Sequence, residues 1–264
     1  MAAIDWTMCK HVYLDVGSNI GVQIRKLYEP ELYPGSSILK VFDEYFGSNI
    51  TTRRREVCAM GFEPNPHHME RLTMLKARYN ALGWRTDFML EAAGYRDGTA
   101  ELFFDMVGKR NHSEWAAGLI RNKLNQGQQR WNTGRTGAHR KVHVFDLPQW
   151  MLKTLDVWKQ HWHKSAGDNP RASVVMKLDV EGAEYELLPH LFASGALCLV
   201  NYVYAELHPH IVNFTISDEQ NWRHSFEANL TAMQKGARKQ GRPCPVMMTE
   251  LDDESYVQDG NPFP

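Results

Sequence analysis

The sequence predicts an α/β fold with a parallel sheet. Three observations carry that expectation. Strand and helix patterns alternate along the chain, the order that builds βαβ units. The first strand runs directly into a glycine-bearing loop and a helix. No repeat or low-complexity block interrupts the 264 residues, so a single domain over 1–264 is expected.

The elements follow in order. A strand over His11–Val16 leads through Gly17–Gly21 into a short helix with Ile20, Ile24 and Leu27 on one face. Residues 36–46 form a helix inside an insertion at about 29–56, and the basic run Arg53-Arg54-Arg55 follows it. The second strand is Val57–Glu63. Asn65 caps the next helix, Pro66 opens it, and Gly83 ends it, with Met69, Leu72, Leu75, Tyr79 and Leu82 as its buried stripe. A third strand spans about 86–92, and Asp97-Gly98 turns into a strand over Ala100–Phe104. Residues 105–141 read as a polar, irregular insertion. A helix at about 147–163 starts at Asp146 and Pro148. The most hydrophobic strand is Ser173–Asp179, followed by a helix at 183–194 that Pro189 must kink. A strand over Cys198–Glu206 and a long helix capped by Ser217 with Gln220 come next. A strand over Val246–Thr249, with a partner near Tyr256, ends the reading.

Composition narrows the function classes. The chain has 30 Lys and Arg against 31 Asp and Glu, which excludes a globally basic nucleic-acid binder. Hydrophobic residues at 43% suffice for a sizeable core and exclude wholesale disorder. No apolar run approaches the length of a transmembrane helix. Residues 1–6 lack the charged start and apolar run of a signal peptide. Cys9, Cys58, Cys198 and Cys244 form no CxxC pair, so they read as reduced thiols rather than zinc ligands or a disulfide framework. Asn-x-Ser/Thr sequons stand at Asn49, Asn111, Asn213 and Asn229, more than chance readily supplies. The missing signal favours the cytoplasm. The sequons favour the lumen of the secretory pathway, for a domain cut from a longer protein.

The main chemical signal is Asp15-Val16-Gly17-Ser18-Asn19-Ile20-Gly21. Glycines let the backbone turn tightly and approach a ligand, and a helix N-terminus offers unpaired N–H groups. The spacing is D-x-G-x-x-x-G, which is neither the dinucleotide fingerprint nor a P-loop. It lacks the glycine pair that admits a pyrophosphate and has an acid where an amine or hydroxyl would bind. S-adenosylmethionine, cationic and without phosphates, matches better. Glu63 ends the second strand, where an acid accepts hydrogen bonds from ribose hydroxyls. The insertion explains its distance of 48 residues from Asp15.

Four pieces together resemble the FkbM-like family of S-adenosylmethionine-dependent methyltransferases. They are Leu14–Gly21, Gly61-Phe62-Glu63-Pro64-Asn65-Pro66, Lys177-Leu178-Asp179-Val180-Glu181-Gly182-Ala183-Glu184, and Ala205-Glu206-Leu207-His208. The resemblance implies the class I methyltransferase fold, a Rossmann-like, seven-stranded, mostly parallel sheet with helices on both faces. It implies that Asp15, Gly17, Ser18, Asn19 and Gly21 line the methionine end of the cofactor. Glu63 would hold the ribose, and Glu91 and Ala92 would sit by the adenine. It further implies O-methylation of a sugar, glycan or natural-product hydroxyl.

Methyl transfer needs an aligned nucleophile, and a hydroxyl acceptor benefits from a base. Asp179, Glu181, Glu206 and His208 fall at strand ends that border the ligand crevice of such sheets. Asp179, Glu206 and His208 are the catalytic candidates, with His208 as the base. Asp179 and Glu206 are the candidate ligands of a divalent metal. Lys177 would pair with one of these acids, and Glu184 reads as structural. Residues 109–141 hold eight basic residues against the single acid Glu114, with Trp115 and Trp131 between them. They suit a lid over an anionic or sugar substrate. An RNA methyltransferase and a non-catalytic binding protein on the same fold are the alternatives. No amine-acceptor motif follows the fourth strand, which disfavours nucleic acid.

Overall fold

The structure, a computed structural model, describes residues 4–104, 117–121, 139–165, 172–241, 244–253 and 259–264. Its main sheet joins six strands: β1 (His11–Val16), β2 (Val57–Phe62), β3 (Thr86–Met89), β7 (Val174–Leu178), β8 (Tyr202–Ala205) and β9 (Met247–Glu250). Their spatial order is β3-β2-β1-β7-β8-β9, and every pairing is parallel. A second sheet holds β4 (Ala92–Gly94), β6 (His139–Asp146) and β5 (Gly98–Phe103) in that order. The α/β class therefore stands, with six main-sheet strands among the described residues rather than seven. Tyr256 and most of the insertion at 105–141 lie outside them.

Alternation along the strands builds two cores, one on each face. Val12, Leu14 and Val16 join Met176, Leu178 and Val203 beneath α5 (Leu147–Ser165), α6 (Glu184–Ala193) and α7 (Ile216–Lys239). Tyr13, Val175 and Tyr204 face the other way. They pack with α1 (Val22–Tyr28), α2 (Leu39–Phe46) and α4 (Met69–Ala81) through Ile24, Phe42 and Leu75. The helix α3 (Ile50–Glu56) precedes β2 and contains the Arg53–Arg55 run. Arg53 is buried there against Asp43 and the Gly47 carbonyl, so that basic run is partly structural.

Several boundaries differ from expectation for physical reasons. β6 begins at His139, inside the stretch read as irregular, because its outward face is exposed and polar. Cys198–Leu199 belong to a buried 3₁₀ turn, so β8 begins only at Tyr202. The capping box of α7 is Thr215 with Asp218, two residues earlier than Ser217 with Gln220. The cysteines are corrected most. Cys9 is bonded to Cys58 and Cys198 to Cys244. Parallel pairing sets Val12 beside Cys58 and Tyr202 beside Met247, so residues 49 and 46 positions apart meet at the same end of neighbouring strands. Spacing alone hides such a meeting. No helix among the described residues is long and apolar enough to cross a membrane.

Candidate active site

Strand order reverses between β1 and β7, and there the chain opens a crevice beyond the strand ends. Gly17 and Asn19 after β1, Glu63 after β2, Asp179 and Glu181 after β7, and Glu206 and His208 after β8 all line one cavity of about 220 Å³. Phe62, Ala92, Ala93, Leu102 and Leu119 give it an apolar wall.

The glycine loop is tied down rather than loose. The Gly17 and Ser18 amides donate to the Phe62 carbonyl at 3.1 and 3.0 Å. Gly17 has φ +88°, and a Cβ there would overlap the Asp179 carbonyl, so only glycine fits. Ser18 Oγ donates to the Asp15 carbonyl at 2.8 Å and accepts from the Phe62 amide at 3.1 Å. A side chain at Gly21 would meet Leu72 and Leu75. Ser18 and Gly21 thus shape the loop from behind instead of lining the cavity. Asp15 also lies beneath it, fully buried, with no hydrogen-bond partner for either carboxylate oxygen. Burial pushes its carboxyl up to about 7, against the pull of Lys177.

Asn19 sits at φ +48° and its amide donates to Glu63 Oε2 at 2.7 Å. Glu63 Oε1 accepts from the Asn65 amide at 2.8 Å. Each carboxylate oxygen has two acceptor sites, so one remains on each for a ligand hydroxyl. The loop and the acid at the end of β2 form one hydrogen-bonded unit.

Opposite stands a cluster of acids around one imidazole. His208 Nδ1 lies 3.1 Å from Glu184 Oε1, and Nε2 lies 3.4 Å from Glu206 and 3.9 Å from both Asp179 and Glu181. Burial alone would lower the His208 pKa. Hydrogen bonds to Glu184 and Glu206 and the charge of Glu181 outweigh it and push the ring up to about 11. The ring thus favours the imidazolium form, which opposes the role of base expected for it. Glu181 is pushed up to about 8, by burial first and by Asp179, Glu184 and Glu206 after, against the pull of His208. Glu184, fully buried, accepts from the Val180 and Gly182 amides at 2.7 and 2.8 Å, and so fixes the turn that carries Glu181. Lys177 Nζ bridges Asp179 Oδ2 at 2.7 Å and the Gly17 carbonyl at 2.8 Å, joining the cluster to the loop.

The structure brings Gly17, Asn19, Glu63, Ala92, Asp179, Glu206 and His208 together. Glu91 turns away to His143 Nδ1 at 2.9 Å, and Ala93 takes the cavity position beside Ala92. Glu181, not chosen from sequence, is central. Its signal was the Glu181-Gly182 pair, both at positive φ, which swings the side chain inward at a strand end. Ligand atoms of Asp179, Glu206 and His208 lie within 4.8 Å of one another, a mixed oxygen and nitrogen set that would hold a divalent cation once His208 lost its proton. Of the basic insertion, Arg121, Arg140 and Lys141 are among the described residues, and none lines the cavity. Comparison with family models, curated proteins and solved structures returned no match for this chain.

Proposed function

We propose that the chain is an S-adenosylmethionine-dependent methyltransferase acting on a hydroxyl of a sugar, glycan or small natural product. The observation that carries this reading is the hydrogen-bonded unit of the Gly17–Asn19 loop with Glu63, facing the carboxyl groups of Asp179, Glu181 and Glu206 across one cavity. A cavity edged by Glu63, Asp179, Glu181 and Glu206 favours a cationic ligand and repels phosphates. Its apolar wall suits a flat ring, and Glu63 keeps acceptor sites for a diol. When bound, the cofactor supplies an electrophilic methyl group on a sulfonium.

The residues of the chain do the rest. Asn19 and Glu63 orient the ribose, while Phe62, Ala92 and Ala93 hold the ring and exclude water. A carboxylate rather than the imidazole takes the acceptor proton, and Glu181 is the choice because it lines the cavity beside Asp179 and Glu206 and, with its pKa raised to about 8, is a stronger base once ionised. Imidazolium His208 steadies the carboxylates around it. The acidic lining also favours a neutral polyol over an anionic acceptor at the transfer point.

Calorimetry with S-adenosylhomocysteine tests the reading. Micromolar binding that weakens at least tenfold in Glu63→Ala is expected. Absence of binding, or binding indifferent to that change, would sink the proposal.

A further inference from the structure

We propose that this domain matures in an oxidising, glycosylating compartment and carries N-linked glycans at Asn49, Asn213 and Asn229. Two independent chemistries on the molecule point there.

The first is thiol pairing. All four cysteines of the chain are consumed in two bonds, Cys9–Cys58 and Cys198–Cys244. Each pair joins adjacent parallel strands, β1 to β2 and β8 to β9, at their N-terminal ends. The Cα atoms stand 5.6 and 4.4 Å apart, within the span a disulfide bridges. Such bonds persist in oxidising compartments and are rare in a reducing cytosol. Both lie at the end of the sheet opposite the cavity, so they have no part in its chemistry.

The second is the sequons. Asn49-Ile50-Thr51, Asn213-Phe214-Thr215 and Asn229-Leu230-Thr231 all carry threonine at the third position, and all three asparagines are exposed. Asn49 caps α3 through Oδ1, which accepts from the Thr52 amide at 3.0 Å. The sugar attaches to Nδ2, so the cap and a glycan coexist. Asn213, at φ +57°, lies in the turn before α7, and Asn229 lies on the outer face of α7. Asn111 is outside the described residues.

The reactions balance with ordinary lumenal co-reactants. Asparagine Nδ2 displaces the diphosphate of a lipid-linked oligosaccharide donor at the anomeric carbon. A C–N bond forms, the C–O bond to the diphosphate breaks, and the amide loses one proton. Each S–S bond forms as two thiols pass two electrons and two protons to the disulfide of an oxidoreductase.

The test expresses the full chain twice, behind a cleavable signal in secreting eukaryotic cells and in a reducing bacterial cytosol. The secreted protein is expected to lose at least three glycan steps on peptide-N-glycanase digestion, one fewer in each of Asn49→Gln, Asn213→Gln and Asn229→Gln. Non-reducing peptide maps are expected to show Cys9–Cys58 and Cys198–Cys244 with no maleimide-reactive thiol. The cytosolic protein is expected to show free thiols and to melt roughly 5–15 °C lower. Three unoccupied sequons on secreted protein, or a cytosolic form with four free thiols melting at the same temperature, would overturn the proposal.

Discussion

Glu181 and His208 share a pocket in which the usual roles of acid and imidazole are exchanged. Against burial, hydrogen bonds to Glu184 and Glu206 raise the pKa of the ring to about 11, and burial raises that of Glu181 to about 8. Glu181→Gln is therefore expected to lower kcat by about 10²–10⁴, the range for removing a general base, with little change in S-adenosylhomocysteine affinity. Steady-state assays on the first acceptor found, paired with calorimetry, check both halves. His11 offers a cleaner titration, away from the cavity. Burial pushes its pKa down to about 4, and its Nδ1 has no hydrogen-bond partner. The unfolded chain therefore binds the proton first, and stability present above pH 6.5 is lost as pH falls from 6.5 toward 4. His11→Phe is expected to remove up to roughly 3 kcal/mol of that acid sensitivity, measured by urea titration at pH 7 and pH 4. Asp179, Glu206 and Glu63 were legible in the sequence because each ends a strand, and strand ends converge in a parallel sheet. The role of His208 was not, since four acids from separate positions decide its charge. Glu91, expected beside the adenine, stands just before β4 and meets His143 rather than lining the cavity.

At the scale of elements, α1 is the helix that the glycine loop feeds, and all seven of its residues are buried. Its apolar residues pack in the core, while a segment far downstream covers its polar ones, Gln23, Arg25 and Lys26. Asp259 accepts from Arg25 and Arg71 at 2.5 Å each, and its side chain is wholly buried. Asp253 receives Lys26 Nζ at 3.0 Å and also bonds Ser36 and Ser37. The Phe263 ring lies under both guanidinium groups. Asp259→Asn leaves Arg25 with Glu29 as its carboxylate partner and takes this carboxylate from Arg71, so a loss of about 1–3 kcal/mol is expected in denaturant titrations. S-adenosylhomocysteine affinity should fall with it, because the loop loses its support. The order of strands and helices was legible from periodicity. The α3 helix and β6 were not, because charged and exposed residues mask their patterns.

The whole molecule is polarised along its strands. Disulfides close one end of the sheet and the cavity occupies the other. Reduction with a phosphine is expected to lower the melting temperature while leaving the S-adenosylhomocysteine Kd unchanged at 25 °C. A differential scan and a titration on the same reduced sample decide it. Near-zero net charge has a similar spatial meaning. The acids near the C-terminal end do not simply offset the basic insertion. Asp253 and Asp259 pair with Lys26, Arg25 and Arg71, and Glu250 with Arg223. Charge balance here is a set of long-range contacts that composition cannot reveal.

The Arg25–Asp259 contact spans 234 positions. A ribosome adding 5–20 residues per second makes the second partner roughly 10–50 s after the first. Through that interval Arg25 has Glu29 but lacks Asp259, and the helix behind the glycine loop lacks part of its packing. The helix behind the glycine loop is thus completed late in synthesis, when Asp253 and Asp259 reach it.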